Sequence, residues 1–211
     1  LYVANYVEFS LDKNPWCGER ISGLRAYCDP DVFQGVTDDY YHNNGDGSFT
    51  NWSELSGIGN DSGKGLGAVA GDVDNDGDMD IYVANDKDMN LLFINNGRGR
   101  FTESALFMGV GYNGNGLAEA GMGVDLGDID RDGWLDIYVC AFDSPNKLYI
   151  NNRGKFKESA GEFGLDFSGA SVSMSFADID LDGDLDLFVG GHNKPGAYPL
   201  SDENFLFKNN N

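Results

Sequence analysis

Asp72–Asp80 reads DVDNDGDMD, and the same nine-residue arrangement returns as DIDRDGWLD at Asp128–Asp136 and DIDLDGDLD at Asp178–Asp186. Carboxylates at the first, third, fifth and ninth places supply the hard oxygen donors that Ca²⁺ prefers, and a glycine at the sixth place permits the sharp turn that gathers them. The chemistry expected is metal binding, with about three Ca²⁺ ions, one to a loop. The expected ligands are Asp72, Asp74, Asp76 and Asp80, then Asp128, Asp130, Asp132 and Asp136, then Asp178, Asp180, Asp182 and Asp186. The seventh place is expected to offer its main-chain carbonyl, from Asp78, Trp134 and Asp184, with the side chain turned away from the metal. A tryptophan at that place suits a backbone role.

One rival reading fails on the residues, and a second fits them less well. An EF-hand loop needs Glu at its twelfth place and flanking helices, whereas the twelfth place here is Val83, Val139 or Val189, each inside a strand-like run. Mg²⁺ keeps several waters in strict octahedral geometry, so four carboxylates and a carbonyl suit Ca²⁺ better.

The elements that position these loops repeat with them. The loops start 56 residues apart, from Asp72 to Asp128, and then 50 apart, to Asp178, a period expected of propeller blades. After each loop comes a short apolar run, IYVAND from Ile81, IYVCAF from Ile137 and LFVGGH from Leu187, with LYVANY at Leu1 as a fourth copy. Such β-branched and aromatic runs make buried strands. An aromatic strand ending in Asn, usually with Gly, follows: DYYHNNGDGSF from Asp39, LLFINNGRGRF from Leu91, KLYINNRGKF from Lys147 and FLFKNNN from Phe205. These read as hairpins whose turns need positive φ, with Phe49, Phe101 or Phe156 opening the outer strand. Ahead of each loop lies a small-residue strand, GLGAVAGD, AGMGVDLGD or SVSMSFAD, fit for a crowded propeller axis.

The fold class expected is therefore all-β, a β-propeller of four-stranded blades with about four consecutive blades present. The blades are placed at 1–52 (lacking its first strand), 53–104, 105–159 and 160–211 (lacking its last). Both truncations fall inside a blade, so the chain is expected to be part of a longer one. Leu1 to Ile81 spans 80 residues, more than the other steps, which places an insertion in the first blade at about 10–38. Cys17 and Cys28 lie inside it; a disulfide between them would hold its shape in an oxidising compartment, and two buried free thiols are the alternative.

The charge bounds the partners. Asp and Glu number 35 against 14 Lys and Arg, a formal net charge of -21, which sets the chain against nucleic acid and anionic membranes and in favour of cations. Three Ca²⁺ would bring that charge to about -15 by simple counting. No apolar run reaches the roughly 18 residues of a membrane span, so no membrane insertion is expected, and with neither an initiator Met nor a signal peptide at its head, Leu1 is not expected to be the gene's own start. Other chemistry is thin. Cys140 stands where sister repeats have Ala4, Ala84 and Gly190, so it reads as a small buried residue, and His42 and His192 belong to no zinc or triad pattern.

The succession of small strand, GD, DxDxDGxxD and LYV resembles the FG-GAP and VCBS repeats of integrin α-subunit propellers. The segment RAYCDPDVFQGVTDDYYHNNGDGSFTN at Arg25–Asn51, joined to these repeats, is similar to the cartilage acidic protein and ASPIC/UnbV group. The resemblance implies a seven-bladed propeller with calcium on its loops, an extracellular or cell-surface location and a binding role without known catalysis in the propeller itself. The expected function is a calcium-binding extracellular scaffold for interaction with, or adhesion to, another protein or a glycan, with the insertion as the leading recognition surface and a packing lid as its alternative. Two other readings remain open at this point: a propeller belonging to or assisting a secreted enzyme such as a polysaccharide lyase, and a subunit of a surface assembly.

Overall fold

The apolar runs behind the acidic loops are continuous rather than alternating, which requires a strand covered on both faces. The computed structural model describes residues 1–19, 21–193 and 200–210. Arg20 inside the insertion, residues 194–199 and Asn211 at the end of the FLFKNNN run lie outside the described residues.

The main strands form four antiparallel units in chain order. The first pairs Tyr2–Val3, Asp39–Asn43 and Phe49–Asn51; the second runs Gly65–Gly71, Asp80–Asn85, Leu91–Asn95, Phe101–Glu103. The third runs Gly121–Gly127, Asp136–Pro145, Lys147–Asn151, Phe156–Glu158, and the fourth Ser168–Ala177, Asp186–Gly191, Phe205–Phe207. The long strand Asp136–Pro145 continues past its own unit and pairs with Ser168–Ala177 through Phe142↔Ala170 and Pro145↔Ser168. The all-β class expected from the sequence is thus observed. The short helices Ser53–Ser56 and Ala105–Met108, each ended by a left-handed glycine, Gly57 at φ 95° and Gly109 at φ 81°, were not foreseen.

The units stack face to face. In Asp80–Asn85, Ile81 and Val83 join Leu91, Phe93 and Ile58 in a cluster that Tyr2 and Tyr40 of the first unit close. Tyr82 and Ala84 point the other way, into a cluster with Leu92 and with Ile137, Val139 and Tyr149 of the third unit. Tyr138, Cys140 and Leu148 in turn meet Leu187 and Val189 of the fourth. Alternate residues of one strand therefore feed two different cores. The buried phenols are satisfied: Tyr82 Oη donates to the Val110 carbonyl at 2.9 Å and Tyr138 Oη to that of Leu165 at 3.1 Å.

The first strands of successive units lie so close that two of their glycines admit no Cβ. A Cβ on Gly67 would strike the Met122 carbonyl oxygen, and one on Gly123 would lie 2.9 Å from that of Val172. A second repeated device was not singled out in the sequence. Asn90 Oδ1 accepts from the Asn85 amide at 2.9 Å, Asn146 Oδ1 from Ala141 at 2.9 Å and Asn204 Oδ1 from Gly191 at 3.0 Å. The first unit uses Asp38 instead, whose Oδ1 accepts from the Asn5 amide at 2.7 Å and whose other oxygen takes the Tyr2 hydroxyl. Each fastens the start of one strand to the end of the strand before it.

The insertion folds on itself and against the second unit. Cys17 and Cys28 are joined in a disulfide, as the sequence suggested, around the small hairpin Gly18–Glu19 and Leu24–Arg25. The Arg25 guanidinium covers the Trp16 ring at 5.7 Å. Lys87 of the second unit reaches Asp29 at 2.7 Å and Asp31 at 3.7 Å, and Tyr6 donates to Asp86 at 2.6 Å. Ile21 and Tyr27 remain fully exposed on its outer side.

Candidate metal centres

Each acidic loop bridges the first two strands of a four-stranded or three-stranded unit, and the register fixes where it closes. Gly71 faces Asp80, Gly127 faces Asp136 and Ala177 faces Asp186, so the ninth residue of every loop is the first paired residue of the next strand. Within the loops the fourth and sixth residues take left-handed backbone: Asn75, Arg131 and Leu181 at φ 56°, 59° and 63°, and Gly77, Gly133 and Gly183 at φ 94°, 91° and 95°. A Cβ on any of these glycines would meet open space, so the backbone angle and not crowding calls for glycine.

The loop carboxylates then organise the backbone. Asp72 accepts from the amides of Asp76 at 3.1 Å and Gly77 at 2.9 Å, and Asp128 from those of Asp132 and Gly133, both at 3.0 Å. Asp178 repeats this with Asp182 at 3.1 Å and Gly183 at 3.0 Å. The ninth-place aspartates are buried staples. Asp80 accepts from Val73 at 3.0 Å and Asn95 at 2.8 Å, Asp136 from Ile129 and Asn151, both at 2.8 Å, and Asp186 from Ile179 at 3.0 Å and Asn209 at 2.9 Å. Each ties its loop to the tip of the following hairpin.

What this produces is three oxygen trios. Carboxylate oxygens of Asp72, Asp74 and Asp80 lie within 4.8 Å of one another, and so do those of Asp128, Asp130 and Asp136 and those of Asp178, Asp180 and Asp186. Two carboxylates at such a spacing repel by roughly 3 kcal/mol at an effective dielectric of about 20. The strain registers in the acidities. Burial, opposed by the two amides and reinforced by neighbouring aspartates, pushes Asp80 and Asp136 up to about 6, and burial with Asp76 beside it raises Asp74. An all-oxygen, anionic donor set fits a hard divalent cation and offers no nitrogen or sulfur for zinc.

The remaining residues expected at the sites are placed differently. Asp76, Asp132 and Asp182 are outside the trios and accept from the amides of Asp78 at 2.9 Å, Trp134 at 2.9 Å and Asp184 at 3.0 Å. The Asp184 carboxylate pairs with the Arg131 guanidinium of the second loop at 2.5 Å, and that of Asp78 lies against Gly97. Lys208 contacts Asp180 and lies 4.0 Å from Asp182. It holds the Asp180 carboxyl below the usual carboxylate range, chiefly by that hydrogen bond.

Neighbouring loops touch. Asn75 Nδ2 donates to the Gly133 carbonyl at 3.1 Å, and the buried Asn151 amide donates to the carbonyls of Val73 at 2.8 Å and Leu135 at 3.0 Å. Asn151 was read from the sequence only as a turn residue; its recurrence before every hairpin turn was the signal, but its partner lies 78 residues away. Elsewhere, Cys140 is fully buried with its thiol pushed up to about 12 by desolvation, and His42 stacks on Trp52 with ring centres 4.1 Å apart. Neither is poised as a nucleophile or base.

The comparisons agree with this geometry. The FG-GAP-like repeat model matches residues 28–83, 72–139 and 128–189, the last two running from one acidic loop to just past the next. Cartilage acidic protein 1 of Xenopus tropicalis is 34% identical over 95 residues, covering 44% of this chain and 14% of that protein. The Mus musculus protein of that name is 34% identical over 86 residues, covering 41% and 13%. This chain thus spans a small part of the length of those relatives. With three successive repeat matches laid over three equivalent acidic corners, the chain belongs to the FG-GAP-like repeat family.

Proposed function

We propose that this chain is part of a calcium-stabilised extracellular β-propeller that serves as a protein- or glycan-binding scaffold. The observation that carries the reading is the recurrence of one oxygen trio at the same corner of three stacked sheet units. Blades would correspond to residues 1–52, 53–104, 105–159 and 160–211, and each ion would stiffen the turn between a blade's first two strands. The trio aspartates would bind the ion directly, with Asp76, Asp132 and Asp182 joining once it draws them in, and Asp78, Trp134 and Asp184 contributing main-chain carbonyls. The disulfide favours an oxidising, extracellular setting.

A scaffold is preferred to an enzyme because, among the described residues, the buried charged groups away from the loops are held in structural contacts, Asp38 by Asn5 and Tyr2, Lys64 by Asp88 at 3.1 Å and Asp86 by Tyr6 at 2.6 Å. The insertion, held by Lys87 yet exposing Ile21 and Tyr27, is the surface offered to a partner. No helix among the described residues is long and apolar enough to cross a membrane. Calcium titration calorimetry on the wild type and on Asp80→Asn, Asp136→Asn and Asp186→Asn tests the metal assignment. Each variant is expected to weaken one site, and undiminished binding in all three overturns the assignment.

A further inference from the structure

The third loop differs from its sisters in one respect that bears on the ion. The residue just before the paired asparagines of each hairpin is Ile94 in the second unit, Ile150 in the third and Lys208 in the fourth. The positions are equivalent in three dimensions, because the following asparagine amide, from Asn95, Asn151 or Asn209, donates to the ninth-place aspartate of its own loop in every case. Ile94 and Ile150 pack against the hydrophobic cores of their units. Lys208 brings an ammonium group that contacts Asp180, a member of the third trio, and lies 4.0 Å from Asp182.

A second cation adds to the first. Arg131 pairs with Asp184 at the seventh place of the same loop. Arg131 is itself a residue of the second loop, so the cation particular to the third corner is Lys208, in contact with a trio carboxylate. The three corners share one backbone geometry and differ in the positive charge already docked on them.

We infer that the third loop is a lysine-countered site, in which Lys208 stands as a resident cation that an incoming Ca²⁺ must displace, so that this loop binds more weakly than the other two and fills last. The inference rests on the calcium reading given above. The displacement is cheap in geometry, because Lys208 is half-exposed and its flexible stem can swing the ammonium into water. The difference in affinity is therefore modest, roughly threefold to tenfold, the range of a partly exposed charge contact. Such a spread leaves the third corner responsive over calcium concentrations at which the other two stay full.

The test is calcium calorimetry on the whole chain as wild type, Lys208→Ile and Lys208→Gln, with Tb³⁺ luminescence excited through Trp134 as a local reporter of the second loop. The wild type is expected to show two tighter sites and one weaker. Both variants are expected to tighten the weak site by roughly threefold to tenfold and to leave the Trp134-sensitised titration unchanged. Three indistinguishable sites in the wild type, or a weak site unmoved in both variants, overturns the inference while leaving the calcium reading standing. No calcium heat and no sensitised luminescence in any of the three proteins overturns the calcium reading itself.

Discussion

Single residues carry departures from the repeat, and each departure has a measurable cost. Leu181 occupies the left-handed fourth place of the third loop at φ 63°, where the first loop has Asn75, and its side chain is largely exposed. An exposed leucine gains nothing from packing there and suffers the steric penalty that asparagine tolerates. Leu181→Asn is expected to stabilise the fold by about 0.5–1 kcal/mol in urea unfolding; a loss of stability would show that the leucine makes a contact worth more than its backbone strain. Asp38 departs in the opposite direction, as a buried carboxyl where three sister units have asparagine. Burial raises its pKa, against the pull of the Asn5 amide and the Tyr2 hydroxyl. A folded pKa above the unfolded one means that the group's contribution is fully present below about pH 3.9 and is lost as pH rises through the folded value. Asp38→Asn is therefore expected to raise the melting temperature at pH 7 and to have little effect near pH 3.5. An equal effect at both pH values would assign the change to packing rather than ionisation.

Among the elements, loops and strands were legible because their constraints are local. Positive φ, carboxylate spacing and a doubly buried strand each leave a mark within a few residues, as Gly77, Asp72–Asp80 and Ile81–Val83 illustrate. The fastening asparagines and the closeness of Gly67 to Met122 were not legible, because each depends on a partner brought near only by stacking the units. Lys208 was hidden for another reason: its position in the repeat is a strand residue, and only the folded turn brings it back over the preceding loop. The insertion is the element most nearly independent of the sheets. Its disulfide closes a separation of 11 residues, and it is tied to the second unit through exposed Lys87 pairs and, at its C-terminal end, through the pairing of Val36–Thr37 with Ser62–Gly63. Closing so short a loop is worth about 3 kcal/mol at most in an entropic account, and exposed ion pairs add little. Reduction, or Cys17→Ser with Cys28→Ser, is thus expected to open the part of the insertion around the disulfide to limited proteolysis while far-ultraviolet circular dichroism of the sheets stays unchanged. A cooperative loss of the whole signal on reduction would show instead that the insertion is part of the core.

At the scale of the whole molecule, a net charge of -21 is concentrated in part on three corners, and the proposed calcium binding makes stability depend on which cation occupies them. Without calcium the cation is the proton. Asp80 and Asp136 are pushed up to about 6 by burial, so the folded chain holds their protons more tightly than the unfolded chain, whose aspartates titrate near 3.9. Their contribution to the calcium-free protein is full below about pH 4 and is lost as pH rises through about 6. Under the proposed calcium binding the sign reverses, because the ion would take the ionised carboxylates and would first have to expel those protons. At pH 5 a group with a pKa of about 6 is mostly protonated, which weakens its loop roughly tenfold relative to pH 7. Between pH 5 and pH 7 the calcium-free protein is therefore expected to lose melting temperature, and the gap between calcium-loaded and chelated samples to widen. Differential scanning calorimetry at the two pH values, with millimolar calcium or with a chelator active at both, measures that gap. A gap that stays constant, or narrows toward pH 7, would mean that Asp80 and Asp136 act only as backbone staples and that any bound ion takes its oxygens from elsewhere in the loops.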